Sequence, residues 1–434
     1  MTEQTTGTSE IELPVAPPDT GWGHFRKLWL ATAVSSVGDG IRLTALPLLA
    51  LSLTTDPLLL ALVMVANWGP LLLSPLAGIW ADVFNRRMLL ITVDAGRAVV
   101  VLVLAVTVLT GVVNLAIVCA ASALLGLGET VFVVAAQSFL PMVVAPARLA
   151  VANGRLHVAQ LIFRDSVGQP LGGLVFVALA ALPFLIDGVS FIIGMLLLAT
   201  VSYVTRASAA PARTDRPSWR AMIAEGVRYL RADRLLVTLA VMLGVLNFFM
   251  AGMGALEVIY VVHWLELPES VFGLFLASGA LGGIVGGMLS ARLSMRFGLF
   301  PAALTALVLT GVASLLLGLV RQPVAAVVAF AALGLGTAVY QALTVSFRQA
   351  VTPSEILGRI NGVYRLVGTG TAPVGALAAG VLAKVTDVSL PFQVAGVGVM
   401  LLAAVTAGPL LRMAAGADRR GLRRGEEGGR DDHR

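Results

Sequence analysis

Runs of about twenty apolar residues, separated by short charged or Pro/Gly-bearing breaks, recur along the whole chain. Read as helices, they give twelve segments at 27–52, 57–79, 88–110, 113–137, 155–179, 181–204, 235–261, 270–292, 299–320, 324–347, 361–384 and 390–412. Each is long enough to cross a hydrocarbon core of about 30 Å. Helices are the form such segments take, because every backbone amide needs a partner inside lipid. The pattern therefore predicts an all-α integral membrane fold.

The breaks carry the next layer of information. Most are a few residues long, but residues 205–234 are polar throughout. That stretch starts as the linker-like RASAAPARTDRPS and continues as SWRAMIAEGVRYLRADR, where Trp219, Met222, Ile223 and Leu230 fall near one helical face. An interfacial helix lying on the membrane surface is expected, with a plain solvated linker helix as the alternative. The chain also repeats itself across this break. ANG at 152–154 returns as ING at 360–362, and ADVFNR at 81–86 is matched by ARLSMR at 291–296, at offsets of 361 − 153 = 208 and 291 − 81 = 210. The expected organisation is a tail (1–26), a six-helix bundle (27–204), a linker (205–234), a second six-helix bundle (235–412) and a charged, glycine-rich tail (413–434). Two pseudo-symmetric bundles place a substrate site near mid-membrane between them.

Composition agrees with the pattern. Of 434 residues 58% are hydrophobic and 12% charged, against about 25% charged in soluble domains. The formal charge of +6 points to membrane topology rather than to nucleic acid. Arg26, Lys27, Arg86, Arg87, Arg148, Arg155, Arg292, Arg296, Arg348 and Arg359 fall in loops on one side, together with the arginines of the linker. The other side offers Arg321 and Lys384. The positive-inside rule then places both termini in the cytoplasm of a plasma membrane. Only Lys27 and Lys384 among 30 basic residues are lysine, a bias that fits a GC-rich bacterial genome. Residues 1–25 carry Glu3, Glu10, Glu12 and Asp19 without a basic run before a short apolar stretch, so no cleaved signal is expected. Cys119 is a single cysteine, His157 stands without a second histidine nearby, and no Gly-x-x-x-x-Gly-Lys-Ser/Thr loop is present. These absences argue against an ATPase, an enzyme or a metal site; no cofactor is expected, and membrane lipid and a small-molecule substrate are the expected partners of a chain acting as a monomer.

Charges inside the apolar runs are the candidate chemistry, since each costs about 2.5–3.5 kcal/mol on insertion scales. They are Asp39 and Arg42 in span one, Glu129 in span four, Arg164 and Asp165 in span five, Asp187 in span six, Glu257 in span seven and Arg365 in span eleven. Asp39 with Arg42, and Glu129 with Arg164, are equally readable as structural pairs. Asp187 reads as an interfacial residue at the start of its helix. Asp94 and Arg97 share a face early in span three. The string GALGGIVGG at 279–287 lies within a span, where glycines permit close helix packing rather than cradling phosphate.

One short turn carries a family signature. GIWADVFNRR, residues 78–87, has Gly78, three intervening residues, Asp82, and then the basic pair Arg86 and Arg87. This resembles the loop motif between spans two and three of major facilitator superfamily transporters. LWLATAVSSVGDGIRLTALPLLA, GLGETVF at 126–132, QSFLPMVVAPARLAVANG at 137–154 and LPFLIDGVSF at 182–191 resemble, within it, the third drug–proton antiporter family, which includes macrolide and siderophore exporters. GQPLGG fits that family's span-five glycine motif at Gly168, Gly172 and Gly173, with the proline displaced to Pro170; the arginine common in span four of drug exporters is missing, and Glu129 stands in that neighbourhood. In the second half, Arg292 replaces the loop aspartate.

The resemblance implies proton-driven efflux of hydrophobic or cationic small molecules by alternating access. It also implies a cytoplasmic gate at Gly78, Asp82, Arg86 and Arg87, joined by Asp94 and Arg97. Spans one, four, seven and ten would line the path, which favours Asp39 and Glu129 first, and Glu257 third, as proton or substrate contacts. A carrier for one metabolite or siderophore is the alternative within the same fold, and a non-transporting receptor or scaffold the alternative outside it.

Overall fold

Polar side chains start the helices where the apolar runs begin. Asp56 accepts from the Leu58 amide, Asn114 from Ile117, Asp233 from Leu235 and Leu236, and Gln322 from Ala325. Such caps satisfy amides that have no partner in the first turn, and each typically contributes about 0.5–2 kcal/mol. In the computed structural model, the residues described are 20–145, 148–201, 227–352, 354–408 and 410. They are helical, with no strand among them.

In chain order the elements are α1 (Thr20–Leu53), α2 (Pro57–Trp68), α3 (Ser74–Val83), α4 (Arg86–Leu109), α5 (Leu115–Val143), α6 (Leu149–Ala159), α7 (Gln169–Ala178), α8 (Leu182–Ala199), α9 (Arg234–Ile259), α10 (Glu269–Phe297), α11 (Leu299–Leu319), α12 (Pro323–Val351), α13 (Ser354–Val385) and α14 (Ser389–Gly408). Ten helical stretches are long and apolar enough to cross a membrane. Large apolar side chains such as Val99, Val103, Val312, Leu401 and Val405 project outward from them, as a lipid-facing surface requires.

Two expected spans are interrupted. The second breaks at Gly69–Leu73, a 3₁₀ turn between α2 and α3. Pro70 has no amide hydrogen to donate there, and Gly69 adds no helix propensity. The fifth starts at Leu149 and passes through a π-helical stretch, Gln160–Gly168, before α7. There the Gln169 amide bonds to the Arg164 carbonyl, five residues back. The wider turn precedes Pro170, whose ring would crowd the carbonyl four residues earlier in a regular helix. The first span begins at Thr20 rather than 27. Of the expected linker helix, residues 202–226 lie outside the described residues, and 227–232 are helical. Both expected tails lie outside them as well, save residues 20–26 in α1.

Glycines set the closest approaches. A Cβ at Gly172 would stand 2.8 Å from the Thr44 Cβ, and one at Gly168 2.9 Å from the Gly40 Cα, so α1 and the α6–α7 rod lie backbone against backbone. Gly282 and Gly286 face Ala331 and Leu335, joining α10 to α12. Helices α1–α8 pack among themselves, as do α9–α14. The two sets meet chiefly where α2 touches α13 and α7 touches α10. Gly173 lies there against Glu269 and Ser270, and Gly380 against Pro57 and Leu58.

Gly172→Val is expected to lower the thermal stability of the purified protein, because overpacking such a contact costs about 1–3 kcal/mol. Gly287→Ala, whose new methyl group meets nothing within 4 Å, should leave the melting temperature unchanged or slightly raised. Melting monitored by size-exclusion chromatography of heated samples compares the two.

Candidate functional site

The spacing of Asp39 and Arg42 puts both on one face of α1, and the helices around them complete a buried charge cluster. The Asp39 Oδ1 accepts from Arg42 and from Arg97 of α4, each at 2.7 Å. Arg42 Nε also stands 2.8 Å from Asp187 Oδ2 of α8, in poor hydrogen-bond alignment. Arg97 lies 3.5 Å from Asp94 and stacks over Phe191 at 4.0 Å. Arg42 is 1% exposed and Asp187 0%. Missing side chains make the space: Gly38 faces Asp187 and Ser190, and Gly194 faces Ser35 and Asp94. The cluster holds three carboxylates and two guanidiniums.

A second group lies beside the first. Arg164, in the π-helical stretch, stands 3.4 Å from Glu129 of α5 and 3.8 Å from Asp165. Gln169 donates to Asp165 at 3.4 Å. Arg164, Glu129 and Gln169 of this group, with Arg42, line a cavity of about 830 Å³ that both sets of helices enclose, within the range of small-molecule sites, roughly 300–1,000 Å³. Its walls are mostly apolar, from Leu43, Leu46, Met64, Trp68, Val133, Met250 and Phe272, with Asn67, Gln169, Asn247 and Gln341 as neutral polar groups. Along α9 it runs from Glu257 to Leu239, about 27 Å of helix at 1.5 Å per residue. Beyond Glu257 the α2–α13 and α7–α10 contacts close that end, and toward the end where α9 begins the lining reaches Leu239, Arg348 and Tyr364.

Glu257 differs from the other acids. It faces the cavity near Trp68, and no ion pair or hydrogen bond to its carboxylate is found among the described residues. Arg348 reaches the cavity from α12, with its guanidinium 4.3 Å over Tyr364. Phe248 and Phe249 stack on each other edge to face.

The signature turn does different work in this conformation. Asn85 caps α4 by accepting from the amides of Arg87 and Met88. Arg87 donates to the carbonyls of Leu198 and Ala199, and Lys27 to that of Thr200, so both cap the C-terminus of α8. Arg86 contacts the Met142 sulfur at 3.4 Å. No atom among the described residues lies within 4 Å of a Gly78 Cβ, so the close helix approach expected of this glycine is not made. Asp94 and Arg97, expected to join the turn, are buried beside Asp39, more than two helical turns further along α4. Asp187, expected at the interface, is in the second turn of α8 and fully buried, because α1 brings Arg42 to it. The side chains of Asp82 and Arg365 lie outside the described residues.

At the closed end, Lys384 donates to Asp56 at 2.6 Å across the two sets of helices. That bond, with backbone donation from Leu58, holds the Asp56 carboxyl below its ordinary value of 3.8. The contribution is therefore fully present above that value and is lost as pH falls through the lowered one.

A multi-pass helical protein with a part-charged cavity enclosed by two sets of helices is, in class, a membrane transporter rather than an enzyme. The model of the transmembrane secretion effector family (MFS_3) matches residues 15–423, and the chain belongs to this family of major facilitator transporters. It is 26% identical over 385 residues to the multidrug efflux pump Tap of Mycobacterium tuberculosis (strain H37Rv), covering 83% of this chain and 87% of that one. A bacterial homologue of the iron transporter ferroportin superposes in its inward-facing state with a TM-score of 0.72, at 18% identity, covering 89% of this chain and 98% of that one. Its outward-facing state with soaked iron gives 0.54, at 19% identity over 88% and 98%.

Removing one partner of a buried pair leaves the other uncompensated, at a cost of about 3–5 kcal/mol. Arg97→Gln should therefore destabilise the protein strongly, whereas Asp94→Asn, which removes the surplus acid, should be well tolerated; heat inactivation of detergent-solubilised protein separates them. At the closed end, Asp56→Asn should raise the rate at which a reagent added from that side labels a cysteine placed at Met64, which lines the cavity. In the unaltered pair that rate should stay flat between neutral and mildly acidic pH.

Proposed function

We propose that the protein exports hydrophobic or cationic small molecules in exchange for protons, by alternating access between two pseudo-symmetric six-helix bundles. Counted with the interrupted rods α2–α3 and α6–α7 as single spans, the ten long helices become twelve. The basic residues on the side where α1 and α9 begin support a cytoplasmic location for both termini. In that orientation the cavity faces inward, and the better superposition on the inward-facing ferroportin homologue supports this reading. The likeness to Tap supports efflux as the direction.

The observation that carries the proposal is the solitary Glu257 carboxylate at the blind end of an apolar cavity. A charge without a counter-ion in such a place is expensive. Either a proton or a cationic substrate relieves the cost, and both cannot do so at once. Competition for one carboxylate is exchange in its simplest form: substrate arriving from the cytoplasm displaces the proton, and a proton arriving from outside displaces the substrate. Glu129 lines the same cavity, and Asp39 lies behind it as the partner of the cavity-lining Arg42. Each group of first-half charges has one acid more than its bases, three to two around Asp39 and two to one around Arg164, so each has room for one proton without breaking every ion pair. The proton gradient is the energy source, and the chain works as a monomer because the cavity is complete within it.

The test is uptake of a panel of cationic and neutral dyes into inside-out vesicles under an imposed pH gradient. Glu257→Gln should cut gradient-driven uptake of cationic dyes on the order of tenfold or more, since a desolvated charge contact carries roughly 2.5–3.5 kcal/mol. Gradient dependence retained in Glu257→Gln, Glu129→Gln and Asp39→Asn alike would remove the coupling assignment while leaving the fold intact.

A further inference from the structure

Outside the transport cavity, a second hollow of about 770 Å³ opens on the flank of the protein between the first turns of α1 and the α6 rod with its π-helical extension. On α1 its wall is Trp22, Arg26 and Trp29, at spacings of four and three residues that share one helical face. On the opposite wall Arg155, Val158 and Ile162 do the same. The two walls are locked together, because the Trp29 indole donates to the Arg155 carbonyl at 3.2 Å and the Arg155 guanidinium lies 5.0 Å over the Trp22 ring.

The hollow is graded in polarity along the helices. The two arginines stand at the rim, both exposed, with Trp22 and Trp29 one turn to either side of Arg26 on α1; Val158 and Ile162, 51% and 44% exposed, follow one and two turns further along from Arg155. No acidic side chain among the described residues lines it. Cationic groups beside tryptophans at the rim and bare aliphatic surface below describe the complement of an amphiphile with an anionic head. We propose that this groove is a binding site for an anionic phospholipid, with its phosphate between Arg26 and Arg155 and an acyl chain along Val158 and Ile162. On the orientation given above, the rim lies in the cytoplasmic leaflet, where anionic lipids are at hand. A lipid seated there braces α1 against the α6 rod, the two elements that carry Asp39 and Arg164.

The tryptophans report occupancy directly. The full chain is placed in phosphatidylcholine nanodiscs containing, as a minor component, either brominated phosphatidylglycerol or brominated phosphatidylcholine, and quenching of indole fluorescence is compared without gradient or substrate. The expected result is preferential quenching by the anionic lipid, corresponding to roughly fivefold enrichment per arginine engaged and weakening as salt rises. That preference should fall in W22F/W29F, which removes the two indoles of the groove and leaves Trp68, Trp80, Trp219 and Trp264, should fall likewise in R26Q/R155Q, and should persist in R26K/R155K. Equal quenching by the two lipids in the unaltered chain, or a preference insensitive to salt, overturns the proposal, as does one undiminished in R26Q/R155Q. Nanodiscs present the same lipid on both faces and no substrate is used, so a negative result here leaves the Glu257 reading and the orientation standing.

Discussion

One carboxylate oxygen organises the first half of this protein. Asp39 Oδ1 accepts two guanidinium groups at 2.7 Å, one from its own helix and one from α4, and the α1 arginine in turn reaches Asp187 on α8. Three helices are thereby tied at a depth where water supplies no alternative partners. Such a cluster is weak evidence for net stability, because desolvation offsets much of the Coulomb attraction. Its effect is on geometry: it leaves α1 few ways to rotate or slide relative to α4 and α8 without stranding a charge. The glycines at 38 and 194 belong to the same device, since any larger residue would hold the helices too far apart for the carboxylates to reach.

The second half is built on other terms. Its intramembrane charges are few, and the two that reach the cavity, Glu257 and Arg348, lie on different helices with no acid–base partner among the described residues. Its helices are held by packing: Tyr260 stacks among Phe275 and Phe392, and glycines on α10 admit the backbone of α12. The cavity thus has one wall whose charges are largely satisfied internally and one that presents groups open to whatever enters. The first half ties its helices with buried charge and the second with packing, and Arg292 stands where the first half's loop has an aspartate, so the two do not share this chemistry.

The helical membrane fold was legible because apolar length and loop charge are local properties. The pairings were legible only where they are also local: Asp39 with Arg42 is a three-residue spacing on one helix. Asp187 was visible as an acid in an apolar run, yet its partner lies 145 positions away (187 − 42) and is brought to it by the α1–α8 approach. Arg97 looked like part of the signature turn because the two are near in sequence; the rise of α4 carries it beyond the turn, to the depth of Asp39. Arg87 illustrates the opposite case. A basic residue at the membrane face reads as topology, but here it also closes the C-terminus of α8, a function set by where that helix ends. The π-helical stretch had a cue in Pro170, which forbids a regular turn before it; its length did not.

The distribution of contact strength bears directly on how the halves can move. Within the first half the bonds are buried and charged, so separating those helices is costly. Between the halves, the ion pair found among the described residues is Asp56 with Lys384, whose side chains are 26% and 49% exposed. Exposed pairs contribute about 0–1 kcal/mol. The rest of that end is closed by apolar packing as well as backbone contact: Gly380 meets the Ala61 methyl group, Gly173 and Gly273 meet the backbone of the facing helix, and buried side chains of both sets, among them Leu60, Phe176, Phe272 and Ala379, form one cluster. Apolar packing and an exposed ion pair join the two sets, whereas buried ion pairs join α1, α4 and α8 within the first. Apolar contact is non-directional and tolerates more than one register, while buried charges tolerate few, so the two kinds of seam constrain their helices unequally.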